Sequence, residues 1–377
     1  MFRFNFSRFA AVIFKEFIQM IRDKPTLAMI VAIPLMQLML FGYAINTNPK
    51  HLPTLVVNSD NTDISRRVLT GMKNSTYFDF LSSQSTEEEA NWQMKTGKVQ
   101  FVVFFPNNFS RDVVKGLHPP LLLQADATDP MATNLAVSVF SELANTVLKE
   151  DLKGPLAALN PVPPPYKPQV HALYNPLIIT AYNIVPGLFG VVLTLTMVIV
   201  TALIVTRENE RGTMETLLST PLRPFEVIAG KLIPFVIVGF IQILLLLSIA
   251  KLVFHVPTEG SLILLLLVTI PFIAANLSVG LTFSTLASNQ LQAVQSAMFF
   301  FLPSLLLSGF MFPIRGMPEW AQWIGSMLPL THYLVIVRGI LLKGNGFIEI
   351  WRELIPIFLF SLVVLFIAFK RYKKTLD

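Results

Sequence analysis

The chain contains a charged stretch, residues 207–224, that reads RENERGTMETLLSTPLRP. Long apolar runs lie on either side of it, at residues 177–206 and 227–254. Each run exceeds the roughly 20 residues that a helix needs to cross a bilayer. The pattern predicts two membrane-spanning helices joined by a short polar helix, which Pro221 and Pro224 end before the second span begins.

The composition is that of a membrane protein. Of the 377 residues, 53% are hydrophobic and 14% are charged, whereas soluble domains carry about 25% charged residues. The net charge of +6 agrees with the enrichment of Lys and Arg in the inner loops of membrane proteins. No basic tract with interleaved aromatic residues indicates a nucleic-acid partner. The sequence has no cysteine, which excludes disulfides and thiolate metal sites.

Further apolar runs complete a set of six predicted transmembrane helices. They occupy residues 25–45, 262–287, 291–312 and 354–369. Lys and Arg flank the first span, the connection between the second and third, and the last span, which predicts that both termini are cytoplasmic. Residues 25–46 are therefore assigned to the first span, and residues 177–377 to the other five.

Residues 1–24 are predicted to form a cytoplasmic amphipathic helix. Phe9, Ile13, Phe17 and Met20 recur at helical spacing, with basic residues on another face. Such a helix lies in the membrane interface. A tail helix that packs on the protein's own surface would have the same periodicity, so both alternatives stay open.

Residues 47–176 are predicted to form an extracytoplasmic α/β domain inserted between the first two spans. Segments rich in β-branched and apolar residues alternate there with helical patterns, which favours a small sheet covered by helices. The predicted strands are residues 54–58, 99–105 and 120–125, and the predicted helices are residues 65–73, 87–95 and 131–149. A proline-rich linker at residues 161–166 leads back to the membrane.

The sequence offers no energy source of its own. The Gly-Lys pairs at Gly97 and Gly230 lack the upstream glycine and the final hydroxyl of a phosphate-binding loop. The six apolar runs contain no carboxylate or histidine that could couple proton movement to transport. The five histidines are scattered, so no metal site and no cofactor are predicted on this chain. Any uphill transport would need a separate subunit, for which residues 207–224 are the predicted docking element.

Residues 207–215, followed by Leu217-Leu218, Pro221-Leu222 and Gly230-Lys231, resemble a motif of a known family. They resemble the cytoplasmic segment of the membrane subunits of ATP-binding-cassette type-2 exporters, which are bacterial drug and lipid export permeases. The resemblance covers essentially the whole chain. It implies a cytoplasmic ATPase partner that binds ATP and Mg²⁺, and a second permease subunit, like or unlike. The coupling residues that it implies are Arg207, Glu208, Glu210, Arg211, Gly212, Thr213 and Glu215.

Two further groups of residues are candidates for the substrate pathway. Asn183, Pro186 and Gly187 are predicted to interrupt the second span and expose backbone groups to a cavity. The second group consists of aromatic and thioether side chains, which adapt to varied apolar shapes. These candidates are Phe299, Phe300 and Met311. Lipid-facing and packing roles stay open for each of the three residues.

Residues 313–343 are predicted to form a re-entrant or interfacial region on the outer side. Its apolar part is too short to cross, and Trp320, Trp323 and Tyr333 would anchor it at the headgroups. His332 and Arg338 could contact substrate there, or they could have a structural role at the headgroup boundary.

The sequence therefore predicts a permease subunit in the bacterial inner membrane that exports hydrophobic or amphiphilic molecules, with drugs as the first choice and lipid or sodium still open. Homodimer and heterodimer are both compatible with it. The surrounding lipid is a further partner, and docking of a periplasmic adaptor is left open. The alternative is a membrane-anchored scaffold whose external domain recruits an envelope partner.

Overall fold

The computed structural model describes residues 6–46, 48–81, 85–126, 130–148, 174–175, 177, 179–210 and 224–372. The chain divides into two compact units, one formed by Met1–Ile45 with Leu173–Asp377 and the other by Asn46–Ala172. The elements are, in chain order, α1 (Phe6–Arg22), α2 (Lys24–Ala44), β1 (Leu52–Asn58), α3 (Asp63–Asn74), β2 (Phe78–Phe80), α4 (Glu87–Lys95), β3 (Phe101–Phe105), α5 (Phe109–Val114), β4 (Leu122–Ala125), α6 (Pro130–Thr146), α7 (Thr180–Glu210), α8 (Pro224–Leu252), α9 (Leu262–Leu286), α10 (Gln290–Leu307), α11 (Glu319–Met327), α12 (Pro329–Lys343) and α13 (Phe347–Tyr372).

The first unit is a bundle of long apolar helices. Among the described residues, five helices are long and apolar enough to cross a bilayer, and they belong to α7, α8, α9, α10 and α13. Helices α11 and α12 meet at 79° and would make a sixth span if counted together. α2 is 21 residues long and contains the shorter apolar stretch Ile30–Ala44. The prediction of a helical, multi-pass membrane protein is confirmed.

Helix α7 forms the centre of this bundle. It contacts α2, α8, α9, α10 and α12. In an apolar window of 18 residues within Thr180–Leu203, 83% of the residues are buried inside the protein, compared with 11% for the corresponding window within Phe347–Ala368 of α13. The exposed faces of the outer helices are therefore available to lipid or to another subunit, whereas α7 is enclosed by its own chain.

Small residues allow the central helices to approach closely. A Cβ built on Gly280 of α9 would lie 2.6 Å from the backbone oxygen of Val198 in α7. Beside this contact, Ser278 and Ser284 are buried on α9. The contact at Gly280 shows that small residues on α9 serve close helix packing.

A buried glutamine holds three helices together. Pro34 lies inside α2 and has no N–H, so the carbonyl of Ile30 one turn earlier loses its helical donor. Gln242 of α8 replaces that donor, since its Nε2 donates to the Ile30 oxygen at 2.8 Å. The Oε1 of Gln242 accepts a hydrogen bond of 2.9 Å from the hydroxyl of Thr196 in α7. The amide thus links α2, α8 and α7 at one depth.

The second unit contains a four-stranded sheet in the order β2-β1-β3-β4. β1 pairs in parallel with β2 and β3, and β3 pairs antiparallel with β4. Both faces are covered by helices. Val56 and Val103 pack towards Met72 of α3, while Leu55 and Val102 pack towards Ala90 of α4.

The structure of this unit adds one element to the prediction. Strand β2 was not predicted, because three residues are too few to show an alternating pattern. The proline-rich linker predicted at residues 161–166 lies outside the described residues.

We expect Gln242→Met to reduce the free energy of unfolding by about 1 kcal/mol, because it leaves the Ile30 carbonyl without a donor in an apolar interior. Pro34→Ala in the same chain restores an N–H at residue 34, so the double variant should recover most of the loss. The measurement is denaturant or thermal unfolding of the purified protein in detergent. Equal losses in the single and double variants would show that Gln242 does not compensate for the proline.

Candidate functional site

The charged segment 207–224 begins as a continuation of α7. The helix does not stop where the apolar run ends but continues through Arg207, Glu208 and Glu210. α8 starts at Pro224, as expected from the preference of proline for the first turn of a helix. Residues 211–223 lie outside the described residues, and with them the predicted coupling residues Arg211, Gly212, Thr213 and Glu215.

Arg207 joins the end of α7 to the turn between α1 and α2. Its Nη1 donates to Oδ2 of Asp23 at 3.0 Å, and Asp23 is the single residue between the two helices. The two side chains are 38% and 26% exposed, respectively. A partly exposed pair of this kind contributes about 1 kcal/mol or less to stability. Its consequence is positional, because the pair ties the end of α7 to the α1–α2 turn.

Glu210 joins the same end of α7 to the start of α10. Its Oε1 accepts a hydrogen bond of 2.7 Å from the backbone N–H of Gln290, and its Oε2 accepts one from the Gln290 side-chain amide. Gln290 is the first residue of α10, where unpaired N–H groups and the helix dipole favour a negative charge. Glu210 therefore caps a helix that lies 80 positions away in the sequence.

Two buried residues of opposite charge lie where α1 packs against the beginning of α8. Glu16 and Lys231 are 3% and 4% exposed, and Glu16 forms an ion pair of 2.9 Å with the neighbouring Lys15. The packing is close, since a Cβ on Gly230 would lie 2.8 Å from Cγ1 of Val12. Of the two roles left open for the first helix, packing on the protein's own surface is thus observed.

Three elements therefore meet the two ends of the charged segment. The α1–α2 turn and α10 contact its α7 end through Asp23 and Gln290, and α1 contacts its α8 end around Gly230. A displacement of the segment would act on all of these elements at once. This arrangement suits a lever that transmits force into a helical bundle.

The predicted pathway residues fall into two groups. α7 runs without a break from Thr180 to Glu210, so the prediction that Asn183, Pro186 and Gly187 interrupt it is wrong. Pro186 lies early in the helix, where one freed carbonyl disturbs few bonds. Gly187 is pressed against Phe310, because an added Cβ would lie 2.7 Å from that ring.

The remaining pathway candidates lie on or just after α10. Phe299 is 82% exposed, and Met311 is 41% exposed. Phe300 is turned inward and packs edge-on against Phe283, beside Phe360. A role of these residues in the pathway stays a prediction.

Several residues of this site could not be found by motif. Asp23 stands between two cations, Arg22 and Lys24, and nothing local indicates that its partner is 184 positions away. Gln290 belongs to an uncharged turn, although Asn289 before it is a typical helix cap that signals the start of α10. Glu16 is an acidic residue in the amphipathic helix α1. Its position in a helix otherwise rich in apolar and basic residues is the signal by which sequence could have found it.

Comparison with known proteins assigns the chain to a family. Residues 24–370 match the family model described as "ABC-2 family transporter protein". The chain belongs to the ABC-2 transporter family. Its resemblance to type-2 exporter subunits is thereby confirmed, and this ABC-2 chain is a multi-pass membrane protein of that family.

Individual relatives of this ABC-2 chain carry transporter names. "Probable multidrug ABC transporter permease YbhS" of Escherichia coli (strain K12) is 30% identical over 380 residues, covering 99% of this chain and 98% of the relative. "Probable multidrug ABC transporter permease YbhR" of the same strain is 28% identical over 93% of this chain and 94% of the relative. "ABC transporter G family member 20" of Dictyostelium discoideum is 26% identical over 94% of this chain, which spans 49% of that protein. The matches are to permeases and transporters and give no support to the scaffold alternative.

A charge swap tests whether the contact between Arg207 and Asp23 transmits force. We expect Arg207→Glu alone to lower the rate of ATP-driven transport by the ABC-2 protein. The same change should alter the free energy of unfolding by only about 1 kcal/mol or less. Arg207→Glu with Asp23→Arg restores the pair and should restore transport, measured in vesicles. The control is the exposed pair of Arg66 and Asp63, where the same swap should leave transport unchanged. Failure of the double variant to recover would contradict the proposed transmission.

Proposed function

We propose that this chain is the permease subunit of an ABC exporter that moves hydrophobic or amphiphilic molecules, drugs among them, out of the cell. A separate cytoplasmic ATPase would supply the energy and would hold the ATP and Mg²⁺. The observation that carries the proposal is the family match over residues 24–370. The relatives named as multidrug permeases, which this chain covers almost completely, support the choice of cargo.

The proposed topology has six membrane helices, namely α2, α7, α8, α9, α10 and α13. α2 is 21 residues long, or about 32 Å at roughly 1.5 Å per residue, which matches a hydrocarbon core of about 30 Å. The 79° bend between α11 and α12 supports a re-entrant pair that enters and leaves on the outer side. With an even number of spans both termini lie on the same side, and the Lys and Arg residues beside the spans favour the cytoplasm for that side. The unit formed by residues 46–172 would then lie on the outer side of the bacterial inner membrane.

In the proposed mechanism, the ATPase docks on residues 207–224 and moves them. The described ends of the segment support this, because Arg207 and Glu210 connect α7 to the α1–α2 turn and to α10. A displacement of the segment would therefore tilt several helices together. The cargo would pass between two permease subunits, whether alike or not, and the exposed apolar faces of α10 and α13 are among the surfaces available to lipid and to the second subunit.

Charge reversal in the segment tests ATPase docking. We expect Glu215→Lys to reduce the ATPase that co-purifies from solubilised membranes about tenfold, a change equivalent to about 1.4 kcal/mol, and to abolish ATP-driven export of a lipophilic dye. Glu142→Lys, on the exposed face of α6, is the matched control and should change neither. Unchanged co-purification and export in the Glu215 variant would contradict the proposal. Full function after replacement of residues 207–224 by a neutral loop would favour a scaffold instead.

A further inference from the structure

The guanidinium group of Arg338 in α12 is partly buried against α7 and the turn after α10, and its hydrogen bonding is incomplete. Its Nε donates to the backbone oxygen of Asn183 and its Nη1 to that of Gly309, both at 3.3 Å. These distances are longer than the usual 2.7 to about 3.2 Å. Its Nη2 is buried and has no hydrogen-bond partner in the part of the chain that the structure describes. Two long bonds and one unpaired donor group are a poor arrangement for a structural arginine.

No carboxylate of the surrounding described elements compensates this charge. α9, α10 and α12 contain no acidic residue, and the acidic residues of α7 are at its far end. On α13, Glu353 pairs with Nδ1 of His332 at 2.6 Å, and Glu349 accepts a bond from the backbone of Gly346. Buried N–H groups of a partly buried cation that have neither an acceptor nor a counter-ion reduce stability. A ligand that supplies the missing negative charge would relieve that cost.

The surroundings of Nη2 combine this cation with an apolar wall. A Cβ on Gly187 would lie 3.2 Å from Nη2 and 2.7 Å from the Phe310 ring, so α7 presents bare backbone here. Phe310 is buried, and its neighbour Met311 is 41% exposed. Gly309 has a φ of 83°, which favours glycine, in the turn that follows α10. Movement of this turn would uncover Nη2 next to apolar surface.

We propose that Arg338 is a specificity-determining residue that binds the anionic head group of an amphiphile, a carboxylate, sulfonate or phosphate, through the free N–H groups of Nη2. Phe310 and Met311 contact the apolar chain of the same molecule. The proposal rests on the proposed export function and narrows its cargo class. An exported acid and a phospholipid of the bilayer carry the same head-group chemistry, and the experiment separates the two sources.

The test compares two probes on the purified permease with its ATPase, in vesicles of phosphatidylcholine. The probes are a dansyl-labelled long-chain carboxylic acid and the dansyl-labelled amine of the same chain length. Wild-type protein is expected to bind the acid more tightly, as measured by dansyl fluorescence. Arg338→Gln should weaken binding of the acid about tenfold or more and leave the amine unchanged.

Two further variants separate binding from a structural role. Arg338→Lys retains the positive charge and should retain the preference for the acid. Arg315→Gln removes an exposed arginine of the same outer region and should behave as wild type. If the Arg338→Gln and Arg338→Lys variants lost affinity for the acid and for the amine to the same extent, the proposal would be overturned. Wild-type protein that binds the two probes equally would overturn it without any variant.

Lipid composition identifies the source of the anion. If the ligand is cargo, ATP moves the acid probe across phosphatidylcholine vesicles, and added phosphatidylglycerol does not change the rate. If it is a bilayer lipid, wild-type activity depends on phosphatidylglycerol and Arg338→Gln loses that dependence. If Arg338→Gln changes neither the transport of the acid probe nor the dependence of activity on phosphatidylglycerol, the anion site is refuted. Absence of ATP-driven movement of either probe would contradict the export function instead, while the binding comparison would still test Arg338.

Discussion

The bilayer interior offers no water, so a backbone carbonyl that loses its helical partner must find another donor within the protein. Each of the long apolar helices contains a proline that creates such a carbonyl: Pro34, Pro186, Pro234, Pro271, Pro303 and Pro356. In α2 the replacement donor is Gln242. Because the freed carbonyl sits at one height on α2, the bond fixes the register of α2 against α8, and Thr196 extends it to α7.

With that register fixed, the position of α7 explains how distant parts of the bundle are connected. One helix carries Gly187 beside Phe310 near its start, Thr196 in the middle, and Arg207 and Glu210 at its end. A closely packed helix transmits displacement because its neighbours leave little free volume. A displacement of the charged segment and a displacement around Arg338 would therefore both act on α7.

The sequence predicted the features that depend only on the composition of a single segment. The long apolar helices, the amphipathic pattern of α1 and the charged segment are of this kind. Contacts between distant segments were not predictable, because Asp23 and Glu210 find their partners Arg207 and Gln290 only after the bundle has formed. The error at Pro186 has a different cause, since a proline early in a long helix frees one carbonyl and leaves the rest of the helix continuous.

The sheet of the second unit has an additional consequence for assembly. Among the residues that the structure describes, its two edge strands, β2 and β4, have three and four residues. Edges this short offer too few free backbone groups to template another strand, which protects an exposed domain from aggregation. The same feature disfavours strand addition as a recognition mode. A protein that binds this unit would have to recognise its helices and side chains rather than extend its sheet.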